Sequence, residues 1–146
     1  MHPDLEVKHS TLPNSGKGLF TKRDIKKGER IVEYLGEIIT EAELDRRAEK
    51  DIFGYAFYIN SKRVIDAYYT PNAIARYAND AHGYTRQMDI RNNCCYEIWK
   101  NRGWITAEKN IKAGSEIFVS YGKEYWKVIN ENKKIDAQRE KAKRKS

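Results

Sequence analysis

Cysteine is almost missing from this chain, and the two that occur, Cys94 and Cys95, are neighbours. Adjacent thiols rarely share one ion, and none of the usual Cys-x-x-Cys spacings is present, so no metal site is expected. The pair reads as buried strand cysteines. Without a disulfide framework, 146 residues must hold together through an apolar core, which a chain of this length is able to build. Long apolar runs are missing too: none approaches the roughly 18 residues that a membrane helix needs. The start, Met1-His2-Pro3-Asp4-Leu5-Glu6-Val7-Lys8, lacks the basic-then-apolar order of a secretory leader. These absences lead us to expect an intracellular, reducing location and no membrane contact. Two nucleotide signatures also fail. Gly16-Lys17-Gly18 has no third glycine at the dinucleotide spacing and no Gly-Lys-Ser/Thr ending.

Acidic residues are outnumbered, 21 against 28 lysines and arginines, for a net charge of +7. The surplus is uneven. Residues 133–146 hold Lys133, Lys134, Arg139, Lys141, Lys143, Arg144 and Lys145 against Asp136 and Glu140, a net +5, leaving only +2 for residues 1–132. The basic character thus belongs mainly to a C-terminal tail, from residue 127, that reads as helical or partly disordered. Such a tail serves as a solvated end, a phosphate-binding arm for nucleic acid or a nuclear address.

Along the body the signals are mostly those of short strands. Val7 to His9 opens one, and Leu12 to Gly18 is a turn-rich loop. Arg30 to Ile39 alternates as a strand. Thr40-Glu41-Ala42-Glu43 has the form of a capping box, with Thr40 capping and Glu43 reaching back, for a helix through about Lys50. Tyr55–Ile59 and Arg63–Ala67 form one predicted hairpin, and a short helix is expected near Asn72 to Tyr77. Cys94–Trp99 and Trp104–Ala107 form a second hairpin around Lys100-Asn101-Arg102-Gly103. The turn Lys26-Lys27-Gly28-Glu29 is echoed in Lys112-Ala113-Gly114-Ser115-Glu116, without forming a periodic repeat. Asp80 to Asn93 has no period. Many short strands with few helices and no alternating strand–helix order imply a mainly β domain, not a doubly wound sheet.

Four separated segments, in order, resemble the SET-domain protein lysine methyltransferases. They are Gly16-Lys17-Gly18-Leu19-Phe20, Glu33-Tyr34-Leu35-Gly36-Glu37, Ala75-Arg76-Tyr77-Ala78-Asn79-Asp80, and Gly114-Ser115-Glu116-Ile117-Phe118-Val119-Ser120-Tyr121-Gly122. The likeness spans about Val7 to Trp126, so a domain over 1–126 is expected, followed by the tail at 127–146. It implies a fold of small sheets whose C-terminal part crosses as a pseudoknot, bringing Asn79 and Tyr121 together. It further implies S-adenosylmethionine as methyl donor, held by Ser15, Gly16, Lys17, Gly18, Leu19, Arg76, Tyr77, Asn79, Asp80, Tyr121 and Trp126. Tyr121 is the implied catalytic residue, with Tyr34 as its partner. Tyr55, Tyr58, Tyr96 and Val119 are candidates for the channel that admits a lysine. The sequence departs from the family at Asp80, which stands where the pattern has histidine, and in a longer stretch between Asn79 and Asn93.

The chemistry suits these residue types. Methyl transfer to an amine is an in-line displacement, so positioning carries most of the catalysis. A free lysine has a pKa of about 10.4, and an apolar aromatic channel lowers it towards the neutral form that attacks. The implied substrate is a lysine in a basic, flexible segment, a histone tail before others, with chromatin or the nucleus as the favoured location and the cytoplasm if the source is bacterial. The family's cysteine-rich, zinc-binding extension is missing, so the tail or a homodimer would close the peptide groove, or the groove stays open. The alternative is a catalytically inactive SET-like module that binds protein or nucleosomes.

Overall fold

The computed structural model describes residues 3–81 and 90–120. Its strands are β1 (Leu5–His9), β2 (Lys17–Thr21), β3 (Arg30–Tyr34), β4 (Glu37–Ile39), β5 (Ala56–Asn60), β6 (Arg63–Asp66), β7 (Cys94–Trp99), β8 (Arg102–Ala107), β9 (Glu116–Ile117) and β10 (Val119–Ser120). One helix, α1 (Glu41–Glu49), and a single 3-10 turn at Ile74–Tyr77 complete the described elements. The strands make three small sheets in the orders β1-β2-β9, β10-β7-β8-β3 and β4-β6-β5. The expected mainly β class is therefore what the chain adopts.

Local chemistry explains most of these elements. The β7–β8 hairpin closes through Lys100 and Asn101, both at positive φ (51° and 62°), the geometry of a two-residue turn matched to strand twist. Thr40 caps α1 by accepting the Glu43 amide at 3.2 Å. Glu43 does not reach back, however, because its carboxylate is engaged by Arg46 at 2.7 Å and Arg47 at 3.4 Å. No residue of α1 is buried. The helix is instead pinned by Arg47, whose guanidinium meets Glu37 at 3.1 Å and the fully buried Asp66 at 2.9 Å. Those bonds, Glu37 foremost, hold the Arg47 pKa above its ordinary range.

The single strand expected over Arg30 to Ile39 is broken in two. Gly36 passes so close to β6 that a Cβ there would lie 2.5 Å from the Asp66 carbonyl oxygen, and the chain leaves one sheet for another at that point. Strand alternation continues across the break, which is why the sequence pattern hides it.

The two echoing turns prove to be a reciprocal pair. Ile25 and Ile111 exchange backbone hydrogen bonds of 2.8 and 2.9 Å. The Asp24 carboxylate accepts the Ala113 amide, while the Asn110 side-chain oxygen accepts the Lys27 amide. Gly28 and Gly114 adopt nearly the same φ, 88° and 89°, and occupy matching places in the two turns.

The core gathers Leu5, Leu19, Ile25, Ile31, Ile65, Ile105, Ile117 and Val119 from all three sheets. Cys94 sits in it, and burial pushes its thiol up to about 12 from an ordinary 9.0. Cys95, half-buried, is raised as well, also mainly by burial. Because the fold favours the neutral Cys94 thiol, that contribution to stability is complete below the ordinary thiol range and lost as pH rises towards 12. Folded protein treated with iodoacetamide at about pH 8 should leave Cys94 unmodified, since the thiolate is the reactive form. Peptide mass mapping before and after denaturation checks this, and rapid labelling of Cys94 in the folded state would contradict it.

Candidate functional site

The last two strands are threaded between distant parts of the chain. Phe118 bridges Asn79 in parallel, and the Val119 amide donates to the Asn79 carbonyl at 2.8 Å. On the other side, Val119 and Ser120 pair with Cys94 and Cys95. Asn93 acts as a piece of extra backbone here: its side-chain oxygen accepts the Phe118 amide and its side-chain nitrogen donates to the Glu116 carbonyl, each at 2.9 Å. The crossing thus brings Asn79 beside Phe118 and Val119.

Asn79 also reaches across to the glycine-rich loop, donating from its side chain to the Lys17 carbonyl at 3.1 Å. Around this junction opens a cleft of about 450 Å³, lined by Ser15, Gly16, Lys17, Phe53, Gly54, Tyr55, Arg76, Tyr77 and Asn79. Arg76 is fixed over it. Its guanidinium donates to the carbonyls of Ala67 (2.8 Å) and Tyr68 (3.0 Å) and lies over the rings of Tyr55 (4.1 Å) and Tyr77 (4.9 Å). The Arg76 Nε is buried without a hydrogen-bond partner among the described residues. Lys17 adds a second positive charge, 6.0 Å from the Tyr77 ring centre. The donor set suits a ligand with a carboxylate and a flat aromatic group.

The two glycines of the loop do different work. Gly16 adopts φ +61°, with no heavy atom within 4 Å of the position a Cβ would take, so its backbone faces open space in the cleft. Gly18 faces inward, where a Cβ would sit 2.3 Å from Oε2 of Glu116. That buried carboxylate accepts the Ser10 hydroxyl (2.7 Å), the Thr11 amide (2.8 Å) and the Thr11 hydroxyl (2.7 Å). Gly18 and the fully buried Leu19 are therefore framework beside the cleft, not part of its lining.

Beside the cleft stands an aromatic cluster. Tyr34, almost fully buried, donates its hydroxyl to the Tyr55 carbonyl at 2.7 Å. Its ring packs on Phe57 (5.5 Å) and edge-on to Tyr96 (6.0 Å). Phe57 in turn lies against Gly103, where a Cβ would come within 3.0 Å of the ring. Tyr55 thus belongs to both places, lining the cleft with its side chain and anchoring Tyr34 with its backbone.

Other candidates are placed elsewhere. Tyr58 is on the opposite face of β5, half exposed, with its hydroxyl 3.4 Å from Glu41, because alternation along the strand turns Phe57 inward and Tyr58 outward. Val119 is fully buried in the core. Asp80 is also buried and accepts a hydrogen bond from the Asn92 side chain at 2.9 Å, tying the two ends of the 81–91 stretch together rather than lining the cleft. Tyr121 and Trp126 lie outside the described residues. Sequence reasoning missed Phe53 and Gly54, which precede β5 with no motif to mark them, and it missed the reach of the Glu116 carboxylate.

A model of the family described as SET domain matches residues 16–122. The chain is 34% identical over 137 residues to a mouse histone-lysine N-methyltransferase described as H3 lysine-36 specific, covering 84% of this chain and 5% of that protein. It is 35% identical over 126 residues to the histone-lysine N-methyltransferase EZH2 of Chaetomium thermophilum, covering 77% of this chain and 8% of that one. The chain therefore spans a small fraction of these relatives. Among solved structures, an active polycomb repressive complex 2 in the basal state contains a chain that superposes with a TM-score of 0.65 at 33% identity, over 81% of this chain and 15% of that chain. A humanized mutant of the Chaetomium thermophilum complex, bound to the inhibitor GSK126, gives 0.64 at 31% identity over 81% of this chain and 15% of that chain.

The contrast between the two glycines has a measurable consequence. Gly18→Ala must displace the Glu116 carboxylate and should cost about 1–3 kcal/mol of folding stability. Gly16→Ala should cost about 1 kcal/mol through its backbone conformation alone. Urea unfolding of the two variants checks the order, and an equal or reversed ranking would contradict the framework role of Gly18.

Proposed function

Because the chain belongs to the SET-domain family, we propose that it is a protein-lysine N-methyltransferase that uses S-adenosylmethionine. The observation that carries this reading is the junction at Tyr55, where a cleft with two cations and three aromatic rings adjoins a buried tyrosine–phenylalanine wall. The cleft suits the donor on its own terms: open backbone at Gly16, Arg76 and Lys17 for a carboxylate, and Tyr55, Tyr77 and Phe53 for a purine. Bound there, S-adenosylmethionine supplies a methyl group on a positively charged sulfur.

The protein's own part is to bind, orient and dry the reacting amine. Tyr34, Phe57 and Tyr96 offer an apolar wall that strips water from an entering lysine and favours its neutral form. The hydroxyl of Tyr121, next in sequence to Ser120 of β10, is assigned to orient that amine. Tyr34 has its hydroxyl committed to the Tyr55 carbonyl, so its role is to hold the wall in place. The proposed domain is 1–126 and the basic tail 127–146. Histones are the favoured substrate class, since the relatives are named for histone lysines, and chromatin is the corresponding location. The tail or a second copy of the chain would cover the peptide groove.

The test is transfer of labelled methyl from S-adenosylmethionine to core histones, with Tyr121→Phe and Tyr34→Phe beside the natural chain. Tyr121→Phe should slow transfer by about two orders of magnitude. Tyr34→Phe should cost about 1 kcal/mol of stability through its lost hydrogen bond, and less in rate. No labelling of any lysine, together with no calorimetric heat on adding S-adenosylmethionine, would favour the inactive binding module instead, whereas binding without transfer would mean that the substrate was wrong.

A further inference from the structure

The reciprocal turns create a second surface that the transfer reaction does not use. Lys22, Lys26, Lys27, Lys109 and Lys112 all emerge from residues 22–28 and 108–114, on either side of the Ile25–Ile111 bridge. All five are exposed, and none forms an ion pair among the described residues. The acidic groups nearby are engaged: Asp24 accepts the Ala113 amide, Glu29 pairs with Arg23, and Glu108 faces the Cys95 thiol. Five cations on one edge stand out in a body, residues 1–132, whose net charge is only +2.

These lysines are also held still at their base. Ile25 and Ile111 are buried, and the two turns share two backbone bonds and two side-chain caps, so the charges sit on a fixed frame. The kind of partner follows from what the surface lacks. Neither stretch contains an aromatic residue, so it has no platform on which single-stranded bases would stack. Protein interfaces are built around aromatic and arginine anchors and are poor in lysine. The one arginine here, Arg23, is already paired with Asp4 and Glu29. Lysines free of ion pairs among the described residues, on flexible stems rooted in a fixed backbone, are suited to the regularly spaced phosphates of a duplex.

We infer that the paired-turn edge is a docking surface for the backbone of double-helical nucleic acid, distinct from the cleft. Position favours simultaneous use of both. Lys17 at the cleft and Thr21 at the turns are the two ends of β2, about 13 Å apart at the rise of an extended strand. The surface is built from residues 22–28 and 108–114, and binding there requires no methyl transfer.

The experiment uses the full chain and a fluorescent 30-base-pair duplex of mixed sequence, with anisotropy followed over a salt series. One variant carries Lys26→Gln, Lys27→Gln, Lys109→Gln and Lys112→Gln; another carries Lys141→Gln, Lys143→Gln, Arg144→Gln and Lys145→Gln. The first should lower the slope of log affinity against log salt by about 3 and weaken binding on the order of 100-fold near 0.15 M salt. Its melting temperature should be unchanged, because all four side chains are exposed. No duplex binding by the natural chain, or full binding by the first variant, would overturn the assignment. So would a loss confined to the tail variant, or a preference for a single strand that the first variant leaves intact.

Discussion

The structure depends on hydrogen bonding along residues 116–120 from both sides. Glu116 and Ile117 extend the sheet of β1 and β2, then Val119 and Ser120 extend the sheet of β7, β8 and β3. Asn79 and Asn93 fill the place between, one through its carbonyl and the other through its side chain. A short stretch thus joins two of the three sheets to Asn79, which lines the cleft. The buried Glu116 carboxylate adds a further tie, to Ser10 and Thr11. Buried polar groups satisfied on this scale fix geometry at least as much as they add stability.

The same economy appears in the third sheet. Arg47 connects an otherwise unburied helix to Glu37 and Asp66, and Asp66 also accepts the Tyr68 amide. Tyr68 offers its carbonyl to Arg76. The cleft and the helix are therefore linked through one buried carboxylate and two arginines. Charge placed inside such a network is oriented by its partners and does not wander as an exposed pair does.

Much of this was legible beforehand where chemistry is local. The Thr40 cap and the Ser61-Lys62 hairpin follow from residue type within a few positions, whereas the turn expected over Lys100 to Gly103 is shorter, because Arg102 and Gly103 of β8 already pair with Trp99 and Ile98. The break at Gly36 was hidden because its cause, the Asp66 carbonyl, is thirty residues away in sequence. Glu116 was read as part of a motif while its partners, Ser10 and Thr11, lie at the other end of the domain. Likewise the two lysine–glycine turns share chemistry in the sequence, but only the Ile25–Ile111 bridge shows that they stand face to face. For the cleft, motif segments supplied Gly16, Arg76 and Asn79, whereas Phe53 and Gly54 arrive only through the folding of α1 against β6.

The late position of the threading strand governs the order in which the protein is made. Strands β1 and β2 alone form a two-stranded ribbon, which is marginal in water. Their third strand, and the parallel neighbour of β7, come from residues beyond 115. A growing polypeptide on the ribosome would therefore carry Leu19, Ile65 and Ile105 without their final cover until Val119 has cleared the exit tunnel. Distant pairings of this kind fold slowly and leave apolar surface open to chaperones in the interval. A stop codon introduced just ahead of Glu116 would not merely shorten the chain; it would release one with two unfinished sheet edges, a form suited to aggregation rather than partial function.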